Sequence, residues 1–70
     1  MAVIAAHISG VVWKIECAIG DEVDVGDTLA VLESMKMEMP VETDEPGQVK
    51  EILCAEGDKV DEGDALIILE

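Results

Sequence analysis

Short runs of Val, Ile and Leu alternate with Gly-Asp pairs along the whole chain. Apolar, β-branched runs bounded by Gly and Asp are typical of strands that end in turns. Such runs predict eight short strands, at residues 2–7, 11–18, 22–25, 28–33, 38–42, 48–55, 59–62 and 65–70. Many short strands with regular punctuation favour an all-β sandwich or barrel.

The pattern repeats itself after 37 positions. Residues 10–33 align without a gap on residues 47–70, and 14 of the 24 pairs are identical. Each half is too small to bury a core alone, so the two must pack on each other. We therefore expect one domain over residues 1–70, a flattened β-barrel or sandwich of two four-strand halves related by a quasi-twofold axis.

Identical apolar pairs in the repeat define the predicted core. Positions 12 and 15 are both apolar but differ in parity, so a regular strand cannot turn both inward. We expect a β-bulge or strong twist between them, and the same between 49 and 52. The predicted core pairs are Val12/Val49, Ile15/Ile52, Val23/Val60, Leu29/Leu66 and Leu32/Leu69.

A helix competes for residues 28–39, which are rich in Leu, Ala, Glu, Met and Lys. Asp27 or Thr28 could cap its N-terminus. The equivalent segment 65–69 is rich in Leu and Ile and ends the chain. Because a symmetric fold needs the same element in both halves, we predict a strand.

Charge narrows the possible partners. The chain has 17 acidic residues against four lysines and carries a net charge of −13. Binding to nucleic acid or to an anionic membrane surface is disfavoured, since both need basic residues. If the acidity serves recognition, the partner surface should be basic.

Metal-binding and redox chemistry are weakly supported. His7, Cys17 and Cys54 lack the spacing of a metal site. The two cysteines are equivalent in the repeat, which favours small core residues, although a disulfide requires only that the fold bring them close. No secretory leader or membrane-spanning run is visible, so we expect a cytoplasmic protein with reduced thiols. Trp13 aligns with Lys50 and should be partly exposed.

Aspartates recur at every third position in both halves, which resembles the spacing of a calcium loop. The ligand order and the bidentate glutamate of an EF-hand are absent from this pattern. Turn formation explains these aspartates better. They stand at positions 21, 24 and 27 and at 58, 61 and 64.

Lys36 lies in the segment that joins the two halves. Its repeat-equivalent positions fall just outside the chain, which puts it at the end of the domain opposite both termini. The turn contains no glycine, although tight hairpins usually need one. Methionines alternate at 35, 37 and 39, so an extended strand would present them together on one face. Exposed methionines beside a lysine indicate a functional tip rather than a bystander.

The segment Glu33-Ser34-Met35-Lys36-Met37-Glu38-Met39, inside this repeat of Gly-Asp-x-Val units, resembles the biotinyl/lipoyl carrier domains of biotin-dependent carboxylases and 2-oxo acid dehydrogenases. Met-Lys-Met is similar to the biotinyl signature, with Ser34 where Ala is frequent. The Asp-Lys-Ala context of lipoyl domains is absent. The gapless repeat leaves no room for the protruding thumb of bacterial acetyl-CoA carboxylase, so the resemblance is to thumbless domains.

This resemblance implies a non-catalytic biotin carboxyl carrier. Lys36 would receive biotin from a biotin protein ligase, which must also deprotonate the lysine. Met35 and Met37 would serve recognition and positioning, and Glu33 and Ser34 would contribute more weakly to ligase recognition. The implied partners are that ligase, a biotin carboxylase and a carboxyltransferase. The alternatives are lipoylation of Lys36 and an unmodified acidic module that binds a protein.

Overall fold

A computed structural model describes residues 2–70, so the first residue of the predicted domain lies outside the described part. Within it the chain forms eight strands and no helix, and the segment 28–39 is extended as predicted. The strands are β1 (Ala2–Ala5), β2 (Gly10–Ile15), β3 (Glu22–Val23), β4 (Thr28–Ser34), β5 (Met37–Glu42), β6 (Gly47–Ile52), β7 (Lys59–Val60) and β8 (Ala65–Leu69).

Two antiparallel four-stranded sheets face each other, in the orders β1-β8-β6-β3 and β5-β4-β2-β7. A shift of 37 residues converts one order into the other, which confirms the quasi-twofold architecture. Each sheet takes two strands from each half of the chain, so the halves interlock rather than stack as separate lobes.

The predicted bulge is present in both copies. Val12 pairs with Leu32, but Lys14 pairs with the next residue of β4, so Trp13 is the extra residue. The same shift occurs between Val49 and Glu51 against β8. The bulge resolves the parity conflict between positions 12 and 15.

The core follows the repeat closely. Four of the five predicted pairs are buried, while Ile15 and Ile52 are only partly buried at its margin. The buried positions whose residues differ between the halves were not predicted, because identity cannot reveal them. Those missed pairs are Ile4/Val41, Ala6/Thr43 and Ala30/Ile67.

Each Gly-Asp pair closes a turn in the same way. Gly20 has a φ of +97°, a conformation that favours glycine. The Asp21 backbone N–H donates to the Ala18 carbonyl at 3.0 Å, and the Ala18 N–H donates to the Asp21 carboxylate at 2.9 Å. The pairs at 26–27, 57–58 and 63–64 make the same bonds. The recurring aspartates therefore include four turn-forming residues, as predicted.

Several strands are shorter than predicted. The expected strand 11–18 ends at Ile15, and 48–55 ends at Ile52, because the chain then crosses between the sheets. Gly20 N–H donates to Val49 O of the opposite sheet, and Gly57 N–H donates to Val12 O. The described residues include no helix long and apolar enough to cross a membrane.

Candidate attachment site at the hairpin tip

The tip of the β4–β5 hairpin is a two-residue turn. Ser34 pairs with Met37, and the central residues Met35 and Lys36 have φ angles of 52° and 65°. Two consecutive positive φ values define a type I′ turn, which Asn and Gly normally occupy. A non-glycine residue in this region costs about 1–2 kcal/mol, so the turn is strained. Turn stability therefore does not explain the choice of Met-Lys at this place.

The side chains at the tip are open to solvent. Met35 is 92% exposed and Met37 is 60% exposed, although methionine is a hydrophobic residue that usually packs in cores. Lys36 between them is also exposed. A lysine in this position can be approached by another macromolecule from outside.

A shallow apolar hollow of about 180 Å³ lies beside Lys36. Met35, Met37 and Met39 line it together with Ile8 and Ser34. The three methionines thus share one surface, as predicted, but the geometry differs from the extended strand that we expected, because Met35 belongs to the turn. Ile8 was missed by sequence analysis.

Two carboxylates face each other directly below the tip. Glu33 and Glu38 are cross-strand partners, and both are exposed. Like charges in directly opposite positions destabilise a sheet. This pair is a second feature of the hairpin that folding alone does not favour, and it includes Glu33, a predicted recognition residue.

The C-terminal end of the chain lies at the base of the hairpin. Glu70 shares a cleft with Val23, Asp24 and Pro46. The adjoining turn residue Gly26 donates its N–H to Thr43 O, where β5 has just ended. The domain extends 31 Å along its longest axis. Lys36 is therefore at the opposite end from the C-terminus, and Ala2, which pairs with Leu69, lies at that base as well.

Gly10 lets β2 support the stem of the hairpin at very close range. A Cβ atom at this position would lie 2.5 Å from the carbonyl oxygen of Glu33 and 3.4 Å from Cβ of Ser34. Only glycine fits there without moving the backbone that leads to the tip. Gly10 was predicted as part of the repeat, but its contact with the stem below Lys36 was not predicted.

The remaining candidates do not join this site. Cys17 and Cys54 are free thiols at the edge of the core, and burial is the main cause that raises the pKa of each. Trp13 is 48% exposed, in agreement with the prediction of partial exposure. Among residues 2–70 no group of three or more His, Cys, Asp or Glu side chains could hold a metal ion.

A family model described as "Biotin-requiring enzyme" matches residues 1–69, nearly the whole chain. The chain belongs to this biotin/lipoyl family. A biotin/lipoyl attachment protein from Bacillus subtilis (strain 168) is 44% identical over 48 residues, which are 69% of this chain and 66% of that protein. The match to the family model therefore includes both halves of the repeat and the tip between them.

Solved structures with the same fold include domains of much larger enzymes. The Kluyveromyces lactis urea carboxylase matches with a TM-score of 0.93 and 35% identity, over 99% of this chain and 6% of that one. A single-chain, multi-domain long-chain acyl-CoA carboxylase matches with a TM-score of 0.88 and 27% identity, over 94% and 7%. The chain thus corresponds to a small part of each carboxylase. It is a biotin/lipoyl attachment domain similar to those in biotin-dependent carboxylases.

Truncated AcrA from Campylobacter jejuni has a TM-score of 0.87 at 19% identity, over all of this chain and 86% of that one. At this identity the likeness concerns the fold alone. The function must therefore be argued from the tip and not from the barrel.

Proposed function

We propose that this domain carries biotin on Nζ of Lys36 and presents it to the active sites of a biotin-dependent carboxylase. The observation that carries the proposal is the exposed Lys36 in a strained, glycine-free turn between two exposed methionines. Neither folding nor solubility favours that combination. An attachment site needs an exposed lysine, because the modifying enzyme must reach it from outside.

The residues at the tip fit a covalently attached group. Lys36 supplies a primary amine that can form an amide, and the amide form no longer carries the lysine charge. No closed cavity surrounds the attachment point, since the adjoining hollow is shallow. When bound, biotin would supply a carrier for activated carboxyl groups.

The chain itself contributes position rather than catalysis. The antiparallel ladder of β4 and β5 pairs Glu33 with Glu38 and Ser34 with Met37, so the tip is held by a regular register. A tethered group reaches a docked active site at an effective concentration of about the millimolar order. We assign Met35 and Met37 to recognition and positioning, and Glu33 and Ser34 to weaker contacts with a biotin protein ligase.

The Met-Lys-Met sequence favours biotin over lipoate in this proposal. The corresponding partners are a biotin protein ligase, which makes the amide, a biotin carboxylase and a carboxyltransferase. The acidic surface, with a net charge of −13, would be complementary to basic surfaces around those active sites. The domain is proposed to have no catalytic activity of its own.

Intact mass spectrometry after co-expression with a biotin protein ligase tests the proposal. We expect the mass to increase by one biotinyl group, with a positive streptavidin blot. Lys36→Arg should abolish both signals, whereas Lys59→Arg, at an exposed lysine elsewhere, should leave them unchanged. Labelling that persists in Lys36→Arg contradicts the site. A lipoyl mass from the native host contradicts the cofactor, and failure to label the folded domain favours an unmodified protein-binding module.

A further inference from the structure

The internal repeat serves as a control for the tip, because it shows which residues the fold itself requires. Ile8 lines the hollow, while its counterpart Glu45 in the other half is an exposed carboxylate. Met39 also lines the hollow, while its counterpart is the smaller Ala2. The barrel tolerates a charged or small residue at these two positions. The apolar residues are therefore specific to the end of the domain that carries Lys36.

The size of the hollow limits what it can hold. Its volume of about 180 Å³ is below the roughly 300–1,000 Å³ of pockets for drug-sized ligands. A stable protein interface buries about 800 Å² on each partner, far more than this depression could provide. A small ring system or a short alkyl segment matches it.

We propose that this hollow holds the group carried on Lys36 in a resting position against the protein. The inference rests on the proposed biotinylation of Lys36. Met35 and Met37, which flank the attachment point in the chain, line the hollow, so the occupant is tethered beside its own site. Methionine side chains are flexible and polarisable, and they adapt to rings of irregular shape.

Tethering allows a weak contact to be populated. With an effective concentration of about the millimolar order, a contact whose Kd is about 1 mM is occupied roughly half of the time. Such an equilibrium would shelter the apolar tip between visits to partner enzymes and would release the group readily. The contact must be weak, because a tight one would compete with the active sites.

Methyl NMR of the biotinylated domain tests the resting position. After intact mass confirms biotinylation, methyl groups of Ile and Met are labelled and spectra of modified and unmodified protein are compared. We expect NOE cross-peaks between the biotinyl ring protons and the methyl groups of Ile8 and Met39. Ile19 is the internal control, since it is 67% exposed in the turn beside Val49, near the base.

Two substitutions guided by the repeat supply matched variants. Ile8→Glu and Ile19→Glu each install the residue that the other half carries, Glu45 and Glu56 respectively. We expect the cross-peaks to Met39 to weaken about tenfold in Ile8→Glu, because a carboxylate beside the hollow disfavours an apolar occupant. Ile19→Glu should leave them unchanged. Met39→Ala, which installs the counterpart Ala2, is a second variant in which the cross-peaks to Ile8 should weaken.

The failures of the two proposals are distinguishable. A domain that stays unmodified contradicts biotinylation itself. A biotinylated domain without cross-peaks to Ile8 or Met39 overturns the resting position and leaves biotinylation standing. If Ile8→Glu slows labelling by the ligase and the modified protein shows no cross-peaks, the hollow is a ligase contact, and the inference is again overturned.

Discussion

The two ends of this barrel are built from the same repeat, yet they differ in what they expose. The end with the termini carries carboxylates such as Glu45 and small residues such as Ala2, whereas the hairpin end carries Ile8, Met39 and a strained turn. Many positions that the repeat keeps identical lie in the core or in the Gly-Asp turns. The comparison separates residues that build the fold from residues that adapt one end of it to a function.

Deep core positions should behave identically in the two halves. Leu29 is 1% exposed and its counterpart Leu66 is 0% exposed. Truncating a buried leucine to alanine costs about 2–5 kcal/mol. We expect Leu29→Ala and Leu66→Ala each to lower the free energy of unfolding by that amount, measured by urea denaturation.

The two losses should agree within about 1 kcal/mol, since the repeat places both leucines at equivalent positions of the core. Leu53→Ala, at a residue that is 46% exposed, is the control and should cost much less. A difference of several kcal/mol between Leu29→Ala and Leu66→Ala would show that the halves are not equivalent in their packing.

Close backbone contacts should distinguish the hairpin end from the terminal end. An added Cβ at Gly10 would meet the Glu33 carbonyl oxygen at 2.5 Å, whereas one at Gly47 would meet the carbonyl oxygen of the terminal residue Glu70 at 3.0 Å. We expect Gly10→Ala to destabilise the fold by about 1–3 kcal/mol, as overpacking does, and Gly47→Ala by less. Thermal unfolding of both variants measures the difference.

Gly10→Ala should also change the environment of the tip, because the clash displaces the stem that leads to Ser34. A shift of the Met35 and Met37 methyl resonances in Gly10→Ala, but not in Gly47→Ala, would confirm the link. Equal stability of the two alanine variants would contradict the expected difference between the two ends. Unchanged Met35 and Met37 resonances in Gly10→Ala would contradict the link to the tip.

Much of this architecture could be read from the sequence because the repeat restricts the fold. Identical pairs predicted the same succession of strands along each half, the core at Leu32 and Leu69 and the bulges after Val12 and Val49. Identity could not predict Ile4 or Thr43, whose counterparts are different residues. Strand lengths were also overestimated, because the crossing between the sheets at residues 16–20 depends on tertiary hydrogen bonds.

The segment that forms the candidate site could be predicted from the sequence, but its geometry could not. Lys36 and its methionines were evident from the turn without glycine. The positive φ values, the Glu33–Glu38 pairing and the part played by Ile8 depend on how distant strands meet. Comparing Ile8 with Glu45 in the repeat was the one sequence signal that could have revealed the hollow.

A substitution that relieves the strain in the turn should raise the stability of the domain and slow its labelling. Asn is favoured in the left-handed region that Met35 occupies, so Met35→Asn should raise the free energy of unfolding by up to about 1 kcal/mol. The same substitution should slow labelling by the ligase, because it removes an exposed side chain that we propose takes part in recognition. Urea denaturation and initial labelling rates measure the two effects.

Met37→Asn is the matched control, since Met37 starts β5 and has no positive φ. Asn is depleted in strands, so this variant should not gain stability. An equal gain in both variants would mean that relief of turn strain is not the cause.

The smallest effect concerns the two thiols, whose behaviour should be alike. Burial is the main cause that raises the pKa of both Cys17 and Cys54, with smaller contributions from Asp21 and the Cys54 thiol at the first and from Asp58 at the second. In variants that keep one cysteine each, alkylation by iodoacetamide should therefore reach half its maximal rate at a higher pH in the folded protein than in urea. A raised pKa in the folded state also means that the unfolded chain loses its thiol protons first. The stability that the buried, neutral thiols contribute is thus complete at pH values below their pKa in the unfolded chain. It is lost as the pH rises through their pKa in the folded protein. Alkylation that reaches half its maximal rate at the same pH in both states would show that neither thiol is sheltered by the core.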